Sequence, residues 1–169
     1  REMWTKGIAT LEGRYYKVYG AHCFPKPEPV PPIMIGGGGE KLTLRVVARH
    51  ADWWNLPNVS PRIFQNKLKV LEEHCEKEGR NSAGIVKTLA NIVAVARTEE
   101  EAWNLASRSS FFQKGNEENY IIGSADAVTQ RLAEYTKLGV EHFILRFVDF
   151  PKADGAKLFA EKVIPAFMT

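Results

Sequence analysis

Hydrophobic positions along the chain switch repeatedly between short unbroken runs and longer stretches spaced at three and four. Residues 33–35, Ile33-Met34-Ile35, are wholly apolar and predict a buried strand. Over residues 42–51, Leu44, Val47 and Ala48 fall at helical spacing with Arg45 and Arg49 opposite, which predicts an amphipathic helix. Residues 52–56 (DWWNL) read as the next strand. Ser60 and Pro61 then stand where a helix takes its N-cap and first residue, and Phe64, Leu68, Leu71 and Cys75 mark its apolar face up to a stop at Gly79. The β-branched run 85–96 predicts a third strand. Thr98 precedes Glu99, Glu100 and Glu101, an acidic first turn that suits the helix dipole, and Ala102, Trp103 and Ala106 follow. A polar stretch, QKGNEEN, leads to a helix capped by Ser124, with Val128, Leu132 and Tyr135 on one face and Gly139 closing it. Residues 140–148 form the fourth predicted strand. A last helix spans 152–168, with Ala156, Phe159, Val163 and Phe167 on one side and Pro165 bending or ending it.

Ahead of this series, residues 1–7 read as the end of a helix and residues 11–21 as a short β excursion. Five prolines between Pro25 and Pro32 then impose an extended path. The whole is expected to be one domain, 1–169, with an extended, proline-rich insertion at 11–32. Strands alternating with helices mean parallel strands joined by crossovers, the α/β class. Two architectures fit: a doubly wound sheet, or half of an eight-fold barrel. A complete (β/α)8 barrel takes about 250 residues, so four units in 169 residues make half a barrel the natural arithmetic. The opening at Arg1, inside a helix end and without an initiator Met, reads as a truncated or processed chain.

Composition narrows the classes of function. Hydrophobic residues make up 44% and charged residues 25%, as in ordinary globular chains, and the net charge is +3. Lys and Arg are dispersed among Asp and Glu, so a nucleic-acid partner is not expected. No apolar run approaches the roughly 20 residues of a membrane span, and no signal peptide opens the chain; a cytoplasmic location is the expectation. Cys23 follows His22 and Cys75 follows His74, but neither pair has a zinc-ligand spacing, so no metal site is expected.

The chemistry concentrates at Gly36-Gly37-Gly38-Gly39-Glu40, between a predicted strand and a predicted helix. Glycine allows positive φ and close backbone approach to a ligand. The helix that follows aims free N–H groups and its positive end at the turn, which makes an anion site. Thr43 can add a hydroxyl and Lys41 a charge. The run is neither a P-loop nor a G-x-G-x-x-G fingerprint, because position 41 is Lys where each requires Gly. A ligand-free tight turn is the plain alternative. Among other candidates, alternation sends one of Trp53 and Trp54 into the core and one to the other face. His50 reads as a surface residue and His142 as a strand residue within reach of a barrel mouth. Arg146, late in the fourth strand, is placed to recognise an anionic substrate or cofactor tail, with a salt bridge as its ordinary alternative.

Residues 31–55, PPIMIGGGGEKLTLRVVARHADWWN, resemble a signature segment of the luciferase-like flavin- or F420-dependent oxidoreductases. The blocks EGRYYKV (12–18) and IIGSADAVTQRLAEYTKLGVEHFIL (121–145), with the closing helix, agree in order and spacing. The resemblance spans essentially the whole chain and implies the C-terminal half of that family's (β/α)8 barrel. It implies hydride transfer or monooxygenation on a small-molecule substrate, with F420 as cofactor and FMN as the alternative. It assigns contact with the cofactor phosphate to Gly37, Gly38, Gly39, Glu40 (through its backbone N–H) and Thr43, and places Trp54 and Asn55 near the cofactor. Catalytic groups would lie largely in the other half of such a barrel. A half-barrel standing alone exposes strand edges and an apolar face, so a homodimer is expected, and a non-catalytic half-barrel that dimerises and binds a phosphate-bearing ligand is the second reading.

Overall fold

In the computed structural model, which describes residues 1–168, contacts divide the chain at the end of the proline-rich stretch into two compact units, Arg1–Ile33 and Met34–Thr169. The sequence reading takes 1–169 as one domain; the two units are described in turn. The first holds a single helical turn, α1 (Glu2–Thr5), and a hairpin of β1 (Ala9–Glu12) and β2 (Lys17–Ala21). The expected β excursion is thus an antiparallel pair that begins before Leu11. The Gly13 N–H donates to the Tyr16 carbonyl at 2.9 Å to close its turn, and Lys17 pairs with Glu12 across it.

The second unit runs β3 (Met34–Gly36), α2 (Thr43–His50), β4 (Trp53–Pro57), α3 (Pro61–Lys77), β5 (Val86–Ala96), α4 (Glu99–Ser107), β6 (Ile121–Ser124), α5 (Ala125–Lys137), β7 (Val140–Phe147) and α6 (Asp154–Lys162). Every pairing in its five-stranded sheet is parallel. Ala90 pairs with both Pro57 and Ile144, so β4 and β7 flank opposite edges of β5. Val93 pairs with both Ile121 and Phe147, so β6 lies on the β4 edge, beyond the end of β4. The main sheet therefore reads β3-β4-β5-β7, in chain order with no reversal. A doubly wound sheet reverses direction at a switch point; this one winds a single way, as a segment of a barrel does. The sequence reading missed β6, because four residues between polar loops and a helix cap carry too little periodicity to register.

Strand alternation divides the sheet into two faces. Trp54, Leu56, Leu89 and Val93 are buried on the face covered by helices, joined by Leu44 and Val47 of α2, Phe64 and Leu71 of α3, and Val128 and Leu132 of α5. Phe64 sits at the centre, 5.2 Å from the Trp54 ring and 6.1 Å, edge-on, from Tyr135. The Tyr135 hydroxyl donates to the Val59 carbonyl at 2.5 Å, tying α5 to the β4–α3 loop. The Arg80 guanidinium donates to the carbonyls of Ala48 (3.1 Å) and Ala51 (2.6 Å), satisfying acceptors at the end of α2. The opposite face carries Met34, Trp53, Asn55, His142, Ile144 and Arg146, and there Met34 is 41% and Ile144 50% exposed.

Helix boundaries follow the predicted signals with two departures. The Thr98 and Ser124 hydroxyls accept from the N–H groups of Glu101 and Ala127. Ser60 occupies its N-cap position, yet its buried Oγ makes no hydrogen bond among the described residues; the Ser60 N–H instead donates to Asn119 Oδ1 at 3.0 Å. The final helix stops at Lys162, and a 3-10 turn over Ile164–Phe167 replaces its last part, because Pro165 supplies no N–H. Among the described residues, no helix is long and apolar enough to cross a membrane.

Replacing Tyr135 by Phe leaves the Val59 carbonyl without this donor; unfolding in urea should show a loss of about 1–2 kcal/mol, and an unchanged midpoint would contradict the role given to the hydroxyl. The two cysteines should also separate chemically. Burial pushes the Cys75 thiol up, while Cys23 is half-buried. The folded chain thus keeps the Cys75 proton at a pH where the unfolded chain releases it. Stability from this site is complete below the ordinary thiol range and falls as pH rises through it. A thiol reagent should modify Cys23 in the native protein and Cys75 only on unfolding.

Candidate functional site

The glycine run begins at the carboxyl end of β3 and needs its glycines for stated reasons. Gly37 has φ +114°, a conformation that residues with a Cβ rarely adopt. A Cβ at Gly38 would stand 2.8 Å from Leu56 Cδ1, and one at Gly39 would stand 2.8 Å from Thr43 Oγ1. The Gly37 N–H donates to the Asn55 carbonyl at 2.9 Å, the Leu44 N–H donates to the Gly39 carbonyl at 3.0 Å, and the indole N–H of Trp54 donates to the Gly37 carbonyl at 2.9 Å. These bonds pin both ends of the turn. Between them, the N–H groups of Gly38, Gly39, Glu40 and Lys41 donate to no acceptor among the described residues. Leu42 stands at the N-cap of α2 and offers no side-chain oxygen, so the helix start is left open.

Lys67 of α3, which sequence reading did not single out, reaches this turn. Its methylenes lie within 3.8 Å of the point a Gly38 Cβ would occupy, and its ammonium pairs with Glu40 Oε1 at 2.8 Å. The hydrogen bond from Lys67, with its charge, holds the Glu40 carboxyl below the usual carboxylate range. His74 Nε2 lies 2.7 Å from the Glu40 carbonyl oxygen. The acidic side chain is therefore turned to Lys67, which answers the repulsion a free carboxylate would bring to an anion site. A lysine on a helical face carries no sequence signal for this; only the approach of α3 to the turn reveals it.

The remaining candidates distribute over both faces of the sheet. Trp54 is fully buried against Phe64, so its ring cannot meet a ligand on the open face, and its service to the turn is the hydrogen bond to Gly37. Asn55 lies on the open face, and the Thr88 hydroxyl is within hydrogen-bond distance of its Oδ1 (2.9 Å) and of the Trp54 carbonyl (3.1 Å). Trp53 stacks on His142 with ring centroids 4.5 Å apart, which brings together two residues distant in sequence. His50 is exposed on α2. Arg146 is exposed on β7, its guanidinium 4.8 Å above the Phe111 ring, and no carboxylate pairs with it among the described residues. No cluster of three or more His, Cys, Asp or Glu side chains that could hold a metal occurs among the described residues.

Gly-rich turn, sequential parallel strands and covering helices meet a direct comparison. The sequence profile of the luciferase-like monooxygenases matches residues 1–120. The chain belongs to that family. It is 24% identical over 192 aligned positions to an F420-dependent glucose-6-phosphate dehydrogenase of Microbacterium testaceum, covering 97% of the chain and 56% of that protein. The same figure, 24% over 191 positions, holds for the enzyme of that name from Segniliparus rotundus, with 92% and 57% covered. The chain thus spans a little over half the length of these relatives. Among solved structures, an F420-dependent secondary alcohol dehydrogenase bound to an F420–acetone adduct superposes with TM-score 0.79 at 19% identity, over 99% of the chain and 58% of that one. An F420-dependent tetrahydromethanopterin reductase from Methanopyrus kandleri gives 0.75 at 17% identity, over 98% and 60%. These coverages establish the luciferase-like fold, with the chain corresponding to about half of the barrel.

In this family member, Trp54→Phe keeps an aromatic core residue and removes one donor to the glycine turn. Stability should fall by about 1–2 kcal/mol, and the Gly37 and Leu44 amides should exchange hydrogen faster than in wild type; unchanged exchange would show that the indole N–H does not hold the turn.

Proposed function

We propose that the chain is the cofactor-phosphate half of a deazaflavin- or flavin-dependent oxidoreductase, with F420 preferred to FMN. The observation that carries this reading is the set of unpartnered N–H groups from Gly38 to Lys41, at a turn where Cβ atoms would collide, at the carboxyl end of a parallel strand. In barrels of this kind ligands gather at the carboxyl ends of the strands. The donors suit phosphate oxygens, Thr43 adds a hydroxyl, and Lys67 adds a cation whose charge Glu40 balances until an anion arrives. Asn55 faces the same side of the sheet. The cofactor, when bound, supplies hydride transfer or oxygen activation; the residues named here bind and orient it. The preference for F420 leans on relatives whose names carry that cofactor, beside a solved neighbour described as a complex with FMN.

Titration with FMN and with F420, read by cofactor fluorescence, tests the assignment. One cofactor should bind, Gly38→Val with Gly39→Val should abolish binding, and Lys67→Met should weaken it about tenfold, while Glu40→Gln, which releases Lys67, should tighten it. Failure of both cofactors to bind would overturn the reading. The exposed Met34 and Ile144 on the open face, with β3 and β7 each paired along one edge only among the described residues, favour a second reading in which two copies associate and bind a phosphate-bearing ligand without catalysis. Light scattering should then give twice the 19.0 kDa chain mass, and a monomer would exclude that arrangement.

A further inference from the structure

A cavity of about 850 Å³ lies over the middle of β5 and the carboxyl end of β7, away from the glycine turn. Its walls are apolar, with Ile92, Ile144, Phe111 and Phe150 among them. Its charged lining groups are Arg146 and Lys152, and among the described residues no carboxylate lines it. The volume is that of a small-molecule site. Two cations beside apolar groups, with no counter-charge in the lining, leave a local positive potential.

The surroundings keep those cations available. Arg146 rests one face on the Phe111 ring at 4.8 Å, which steadies the guanidinium and leaves its N–H edge unpaired by any carboxylate among the described residues. Lys152 likewise has no ion-pair partner there, its backbone N–H being held by the Asp149 carbonyl at 2.8 Å. Asp149, which lies between the two along the chain, pairs with neither and accepts the Gly155 N–H through its Oδ2 at 2.9 Å. Of the polar groups beside them, Asn91 is occupied, its amide donating to the Asn119 carbonyl and its oxygen accepting from the Ile92 N–H.

We infer that this cavity is the substrate subsite and that its substrate is a small organic anion, a carboxylate or phosphate ester with an apolar body, whose anionic end meets Arg146 and Lys152. The inference rests on the oxidoreductase reading for the word substrate; the selectivity for an anion stands on the cavity alone. Calorimetric titration of the full chain without cofactor, with 4-phenylbutyrate and its neutral isostere 4-phenylbutyramide, separates the two. The carboxylate should bind at least about tenfold more tightly than the amide. Arg146→Met, which keeps the stem over Phe111, should bring that ratio close to one while leaving FMN and F420 affinity unchanged. Equal binding of the two probes, binding of neither, or a ratio that survives Arg146→Met would overturn the inference. So would weaker cofactor binding in that variant with the probe ratio intact, which would move Arg146 to the cofactor. A wild-type chain that selects the carboxylate but binds neither cofactor would sink the oxidoreductase reading and leave the anion cavity standing.

Discussion

The register of β5 is the constraint on which the rest of the second unit depends. Its eleven residues pair with β4 and β6 along one edge and β7 along the other, so every strand except β3 is positioned directly on it. A slip of one residue would exchange the two faces. Leu89 and Val93 would leave the helix-covered core, and Thr88 and Ile92 would enter it. With the register as it stands, Asn55 aligns with Thr88, Thr88 with His142, and Ile92 with Arg146. The row that supports the glycine turn and the row that lines the cavity are therefore set by one strand.

The turn after β3 is held in shape by backbone, aromatic and charged groups together. Glycine removes side chains that would collide with Leu56 and Thr43. Trp54, a core residue, holds one turn carbonyl from below, and Asn55, through its own carbonyl, holds one N–H. Lys67 lies beside the turn with its charge taken up by Glu40, 2.8 Å away. Trp54 belongs to the framework that shapes the turn, because its fully buried ring has no surface left to offer.

A chain that spans a little over half of its relatives presents a sheet covered by helices on one face and carrying exposed Met34, Ile144 and Arg146 on the other. The open face matters chemically, because the glycine turn follows the carboxyl end of β3 and the cavity meets the carboxyl end of β7. A complete barrel would close over both and exclude water from them, strengthening each electrostatic contact.

The local signals in the sequence were sufficient for most elements: apolar runs for β3, β4, β5 and β7, the Leu44-Val47-Ala48 stripe for α2, the Thr98 and Ser124 caps, and Gly79 and Gly139 as helix stops. Each of these is a short-range effect of periodicity, capping or backbone freedom, which a linear string records. The glycine turn was legible for the same reason, and the resemblance of residues 31–55 pointed to the family that the comparisons establish. Four-residue β6 was not legible, since it exists only through pairing with the far end of β5. Ser60 stands at its predicted N-cap, but its Oγ accepts no hydrogen bond among the described residues, while its N–H donates to Asn119, remote in sequence. The choice between a doubly wound sheet and a barrel segment, the faces assigned to Trp53 and Trp54, the arrival of Lys67 at the turn, and the meeting of Arg146, Phe111 and Lys152 around one cavity were decided by tertiary structure. All are contacts between residues far apart along the chain, and no local pattern specifies which distant side chain a fold brings near.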